Sequence, residues 1–165
     1  MSDHRDRLVD LDTLEVDAPA RVAQLVAWLE HRGWSQTEQD WLDKASTYRP
    51  ASGDSQVAVV LGFQAFDPGE GTDVAVCTFC STPADEDEWM SALNDWFETR
   101  SEPSLTCHGC AATALVGDMD NERGVVFGSV ALSFQGIDFE IVKTTLLTEV
   151  RNELGGRWCY VHLHL

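Results

Sequence analysis

The sequence predicts an α+β domain: a mixed or antiparallel sheet with flanking helices and an inserted lobe built on two cysteine pairs. Three observations carry that prediction. Apolar residues recur at helical spacing in three separate stretches, near residues 18–33, 82–99 and 138–154. Runs rich in Val, Leu and Phe occupy 56–66, 125–134 and 158–165, and read as strands. Finally, Cys77-Thr78-Phe79-Cys80 is matched in form by Cys107-His108-Gly109-Cys110, with 26 residues between them.

In chain order, residues 1–17 are polar and charged and read as a flexible N-terminal segment, leaving 18–165 as one α+β domain. Asp17 is placed to cap a first helix, with Pro19 in its opening turn and Val22, Leu25, Val26 and Leu29 on one face. Gly33 stops it. Ser35-Gln36-Thr37-Glu38 has the form of a capping box and predicts a short second helix carrying Trp41 and Leu42. The pair suggests a helix-turn-helix, but Glu38, Asp40 and Asp43 on its second helix would repel phosphate.

Gln56 to Phe66, the turn residues Asp67-Pro68-Gly69-Glu70-Gly71, and the apolar run from Asp73 to Phe79 predict a hairpin that delivers the first cysteine pair. Thr82 and Pro83 predict the start of a helix with Asp85, Glu86, Asp87 and Glu88 at the positive end of its dipole. Its core face is expected to be Trp89, Met90, Leu93, Trp96 and Phe97. A short strand from Thr113 to Val116 and a long one from Val125 to Phe134 follow the second pair. Asp138 is placed to cap a helix with Phe139, Val142, Leu146, Val150 and Leu154 inward, ended by Gly155-Gly156. The last run alternates Cys159, Val161, Leu163 and Leu165 with Trp158, Tyr160, His162 and His164, so strand, helix and strand close the chain as a crossover. The lobe at 77–111 is thus an insert within one domain.

The chain has 165 residues and a formal charge of −17, from 28 acidic against 11 basic residues. That balance argues against nucleic acid and against anionic membrane surfaces, and it favours a basic protein partner if a partner is bound. Its bland explanation is a well-solvated surface. The longest apolar stretch, Val57 to Leu61, is too short to cross a bilayer, and the first residues carry no secretory signal, so the expected location is cytoplasmic. Thiols there stay reduced, and paired cysteines read as metal ligands or redox groups before disulfides.

Two C-x-x-C turns supply the four sulfurs of a closed tetrahedral site. Cys77, Cys80, Cys107 and Cys110 are therefore the candidate ligands of a structural Zn²⁺ that leaves no position open for substrate. Turns of this kind favour positive φ after the second cysteine, where this chain has Ser81 and Ala111 in place of glycine. The alternatives are idle cysteines, iron–sulfur ligation, or a redox pair, with Cys80 just before the Thr82 helix and His108 as a helper. The carboxylates at 85–88 oppose a thiolate there.

Other candidates are weaker. Cys159 reads as a small hydrophobe. His162 and His164 share a strand face and could clamp a metal, but two ligands make an incomplete site. Asp118, Asp120 and Glu122 fail as a calcium loop because Arg123 and Ser129 occupy the required Gly and Glu positions. The six tryptophans read as core, with an exposed interface anchor as the minor alternative. No catalytic motif is present, so no catalytic or cofactor-binding residue is nominated.

The segment from Cys77 to Cys110 resembles a group of small uncharacterised bacterial proteins in which two C-x-x-C knuckles surround a helix ending in Trp-Phe-Glu-Thr. Here that helix end is Trp96-Phe97-Glu98-Thr99, followed by a Pro103-containing link to Cys107. The closing helix and strand are also similar. The resemblance implies a zinc-ribbon-like insert ligated by Cys77, Cys80, Cys107 and Cys110, and implies no activity. The leading expectation is a non-enzymatic, acidic protein-interaction module with a structural zinc, of which an immunity- or inhibitor-type binder of a basic partner is one form. The rival is a thiol–disulfide or metal-dependent enzyme using a C-x-x-C pair.

Overall fold

The computed structural model describes residues 4–40 and 45–164. Its main element is a six-stranded sheet in the order β2-β3-β4-β7-β1-β8, every neighbouring pair antiparallel. The strands are β1 His4–Asp10, β2 Trp34–Asp40, β3 Ala45–Pro50, β4 Gln56–Phe66, β7 Val126–Gln135 and β8 Trp158–His164. A separate two-stranded sheet pairs β5 Ser104–Thr106 with β6 Thr113–Leu115. The helices are α1 Ala18–His31, α2 Glu86–Thr99 and α3 Leu147–Leu154. The class is α+β.

Two cores follow from strand alternation. On one face Leu8, Val57, Val59, Val130, Leu132, Phe134, Trp158 and Tyr160 meet Leu25, Trp28 and Leu29 of α1 and Val142 and Val150 of the closing helix. On the other, Val9, Ala131, Cys159 and Val161 meet Trp89, Ala92, Leu93 and Trp96 of α2, together with Val116 and Met119. β7 is therefore buried along both faces in nine of its ten residues, Ser129 and Ser133 included. The cysteine lobe and α2 occupy the long connection from β4 to β7, two strands that pair directly.

Several expectations are corrected. Within the segment 1–17 expected to be flexible, His4–Asp10 forms β1, which lies between β7 and β8 with Leu8 and Val9 fully buried. Its polar residues hid this, and the buried ones are paired: Asp10 accepts from Arg21 and the Thr13 hydroxyl, and Asp6 from Tyr160. Ser35 to Asp40 forms edge strand β2 rather than a helix, because pairing with β3 overrides the local capping signal. Trp41 and Leu42 lie outside the described residues. The hairpin of 56–66 with 73–79 does not form: β4 pairs with β3 and β7, and Val76 makes only isolated bridges to Pro83 and Asp120.

α2 starts three to four residues later than Thr82. Its cap is Asp85, whose side chain accepts the N–H groups of Asp87 and Glu88. Ala92 takes the inward place expected of Met90 and Phe97, which are 45 % and 53 % exposed. Asp138 does cap the closing helix through the Glu140 N–H, but residues Ile141–Leu146 wind as a π-helix and Phe139 faces outward. Gly33, at φ 81, ends α1 as expected. The strands β7 and β8 run parallel with β1 between them, so the final helix does cross over. Trp28, Trp89, Trp96 and Trp158 are buried, which answers for most of the tryptophans as core. No helix among the described residues is long and apolar enough to cross a membrane.

Candidate metal centre

Each cysteine pair sits on the same local structure. Cys77 donates its N–H to the Thr82 carbonyl and accepts the Ser81 N–H; Cys107 does the same with Ala112 and Ala111. Both turns close an antiparallel pair, Val76 with Pro83 in one and Thr106 with Thr113 in the other. The chain thus builds two hairpin loops of one shape and faces them toward each other. Ser81 and Ala111 adopt φ 61 and 59, the left-handed conformation anticipated for these positions. A side chain there costs on the order of 1 kcal/mol relative to glycine. Ala111→Gly is therefore expected to stabilise the lobe by about 0.5–1 kcal/mol, measured by thermal or urea unfolding, since Ala111 is exposed and strain is relieved.

The loops bring all four sulfurs together. The ligand atoms of Cys77, Cys80, Cys107 and Cys110 lie within 4.8 Å of one another. Cys77 Sγ is 3.8 Å from Cys110 Sγ, and Cys80 Sγ is 3.5 Å from Cys107 Sγ. A tetrahedron with metal–sulfur bonds of ~2.3 Å has edges of about 3.8 Å, whereas a disulfide requires ~2.05 Å. These two approaches each join one loop to the other. The spacing is compatible with four ligands around one ion.

The surroundings fit the same reading. Gly109 donates its N–H to Cys107 Sγ at 3.3 Å. A Cβ on Gly109 would collide with the Thr82 hydroxyl and stand 3.2 Å from Cys80 Sγ, so the two loops close only because this residue has no side chain. Gly109→Ala is expected to part the loops and lower metal affinity at least tenfold, read by competition with a chromogenic chelator. His108 stays outside the sulfur cluster, with Nε2 3.0 Å from Glu88 Oε2 at the surface of α2.

The sulfurs are not electrostatically alike. Thr82 holds the Cys80 thiol down to about 6, first through its side-chain hydroxyl, 3.1 Å away, and then through its backbone N–H. The Ala112 N–H favours the Cys110 thiolate too, but burial and the neighbouring thiols outweigh it and push that thiol up to about 11. One sulfur gives up its proton readily and another holds it. Four thiolates in this space require a cation among them. The helix-terminus argument for a redox pair does not hold, because Cys80 lies well before the α2 cap at Asp85; the lowered Cys80 thiol remains compatible with that alternative.

The remaining candidates separate cleanly. Cys159 is buried against Val161 and Trp96's cluster, and burial pushes its thiol up to about 12, so it is inert. Asp118 and Glu122 have internal cationic partners, Arg157 and Lys143. His162 and His164 are joined by His4, one ring nitrogen of each lying within 4.8 Å of the others. The sequence reading missed His4 because it left β1 unassigned; an alternating pattern of His4, Asp6 and Leu8 was the available signal. Thr82 and Gly109 were also missed, being recognisable only once the two loops are seen to touch.

Compared with protein-family models, with curated proteins and with solved structures, the chain matches none.

Proposed function

We propose that this chain is a non-catalytic, acidic protein-interaction module in which Cys77, Cys80, Cys107 and Cys110 hold one structural Zn²⁺. The observation that carries the metal part is the four-sulfur cluster, whose spacing suits a tetrahedral ion and whose donor set suits zinc. With all four positions filled by protein, such an ion serves the fold and offers nothing to a substrate. The zinc-ribbon-like character of the insert belongs to the same proposal.

The interaction part is supported by α2. Its exposed residues include Glu86, Asp87, Glu88, Asp95 and Glu98 as well as Met90 and Phe97, with Arg100 over the Phe97 ring. Phe79, on the first cysteine loop, is 72 % exposed. Exposed apolar side chains beside an acidic helix face suit a basic protein surface, which charge steers in and aromatic burial retains. Among the described residues the exposed aromatics are phenylalanines rather than tryptophans. An immunity- or inhibitor-type role against a basic protein is the form this reading favours.

Elemental analysis and native mass spectrometry of untagged protein test the metal, with at least one zinc per chain and four thiols protected from alkylation expected. A metal-free chain with one rapidly alkylated, low-pKa thiol supports the redox rival instead. Native capture tests the partner: a basic protein held by the wild-type chain should be lost by the triple variant Asp87→Lys, Glu88→Lys, Asp95→Lys. Equal retention by both removes the α2 surface from the proposal and leaves the zinc untouched.

A further inference from the structure

A second cluster of metal-binding side chains lies on the opposite face of the sheet from the cysteine lobe. Pairing of β1 with β8 sets His4 opposite His164 and Asp6 opposite His162. Alternation puts these four on the face that carries Leu8, Trp158 and Tyr160 into the first core. The helical cover of that face ends at Phe139, whose ring meets His162 edge-on at 6.2 Å. Beyond it the strands present imidazoles. The His162 and His164 rings are 4.3 Å apart, His4 and His164 4.8 Å, and His4 and His162 5.4 Å.

Asp6 completes the arrangement. It is buried, 4 % exposed, and accepts from the Tyr160 hydroxyl and from His162 Nδ1, each at 2.6 Å. A carboxylate on Nδ1 fixes the tautomer, leaves Nε2 as the lone-pair nitrogen and aims the ring. That is the usual support behind a metal-ligating histidine. Packing alone gives no reason for three imidazoles and a buried carboxylate at the rim of a hydrophobic core.

We propose that His4, His162 and His164 form a second metal site for a late first-row divalent ion such as Zn²⁺, with Asp6 as its positioning residue. The donor set is wholly nitrogen and, among the described residues, has three members. A three-histidine site differs in kind from the four-sulfur one: it keeps a coordination position for water or an exogenous ligand. The proposal is independent of the cysteine centre.

Zinc titration of the full chain against a chromogenic competitor tests it. Two equivalents are expected. His162→Ala and, separately, His164→Gln should each remove the second and leave the first, while Cys107→Ser should do the reverse. Asp6→Asn should weaken the second by about 10–100-fold. Cobalt substitution gives the spectroscopic check, because the histidine site adds d–d bands without the sulfur-to-metal charge transfer of the thiolate site. His164→Gln, at the end of β8, keeps the fold intact and guards against a variant that merely unfolds. A single equivalent that vanishes with Cys107→Ser overturns the proposal, and so does a second equivalent that survives both histidine variants. Unchanged affinity in Asp6→Asn overturns the role given to Asp6.

Discussion

Cys107→Ser is expected to remove the zinc equivalent held by the four cysteines and to destabilise the chain by at least about 4 kcal/mol, the range in which loss of a structural metal falls. The lobe has little apolar substance of its own. β5 and β6 are three residues each, and both cysteine loops are mostly exposed. What it does have is position. Ala75, Val116 and Met119 lie in the same cluster as Trp89, Leu93 and Trp96, so the loops and α2 together roof the second core. Without an ion, four sulfurs gather with nothing to hold them, and the roof loosens. Hydrogen exchange should then lose protection across residues 74–121 while β1, β4, β7 and β8 keep most of theirs. Because the ligating sulfurs are thiolates, zinc should also leave progressively as pH falls. Superimposable melting and exchange profiles for wild type and variant would show that the ion contributes nothing to the fold.

Arg21→Ala is expected to cost about 3–5 kcal/mol, the penalty for stranding one member of a buried ion pair. The Asp10 side chain is fully buried, and its carboxylate accepts Arg21 Nε at 2.6 Å, the Asp12 and Thr13 N–H groups, and the Thr13 hydroxyl. The other two guanidinium nitrogens donate to the carbonyls of Leu154 and Gly155, which the end of α3 leaves without helical partners. The same group stands over the Trp158 ring at 5.3 Å. One side chain thus joins β1, α1, α3 and β8. Lysine has the charge but not the planar fork, so Arg21→Lys should recover less than half of the loss. Adding Asp10→Asn to Arg21→Ala should recover part of it, because the stranded charge is gone. Urea unfolding midpoints at constant m-value measure all three. A loss below about 1 kcal/mol for Arg21→Ala would place the pair among ordinary surface contacts.

The parts of the molecule that were legible in the sequence are those set by local chemistry. α1 with its Gly33 stop, the closing helix with its Asp138 cap, and the strands β4, β7 and β8 each announce themselves within a dozen residues. So do the two cysteine loops, down to the left-handed conformation of Ser81 and Ala111, because a C-x-x-C turn dictates its own backbone. What escaped was set at a distance. β1 is charged along much of its length, and is a central strand only because Arg21, Tyr160 and the Thr13 turn satisfy its carboxylates from elsewhere. β2 carries a helix-start signal that pairing with β3 overrules.

The meeting of His4 with His162 and His164, and of Gly109 with Thr82, belongs to the same class. Residues 4 and 164 stand at opposite ends of the described chain, and nothing in either neighbourhood specifies the register that places them face to face. Short-range rules could name the four sulfurs and most of the elements. Choosing sheet neighbours, and so which polar side chains share a face, rests on the burial of two apolar clusters at once, a condition that no window of sequence contains.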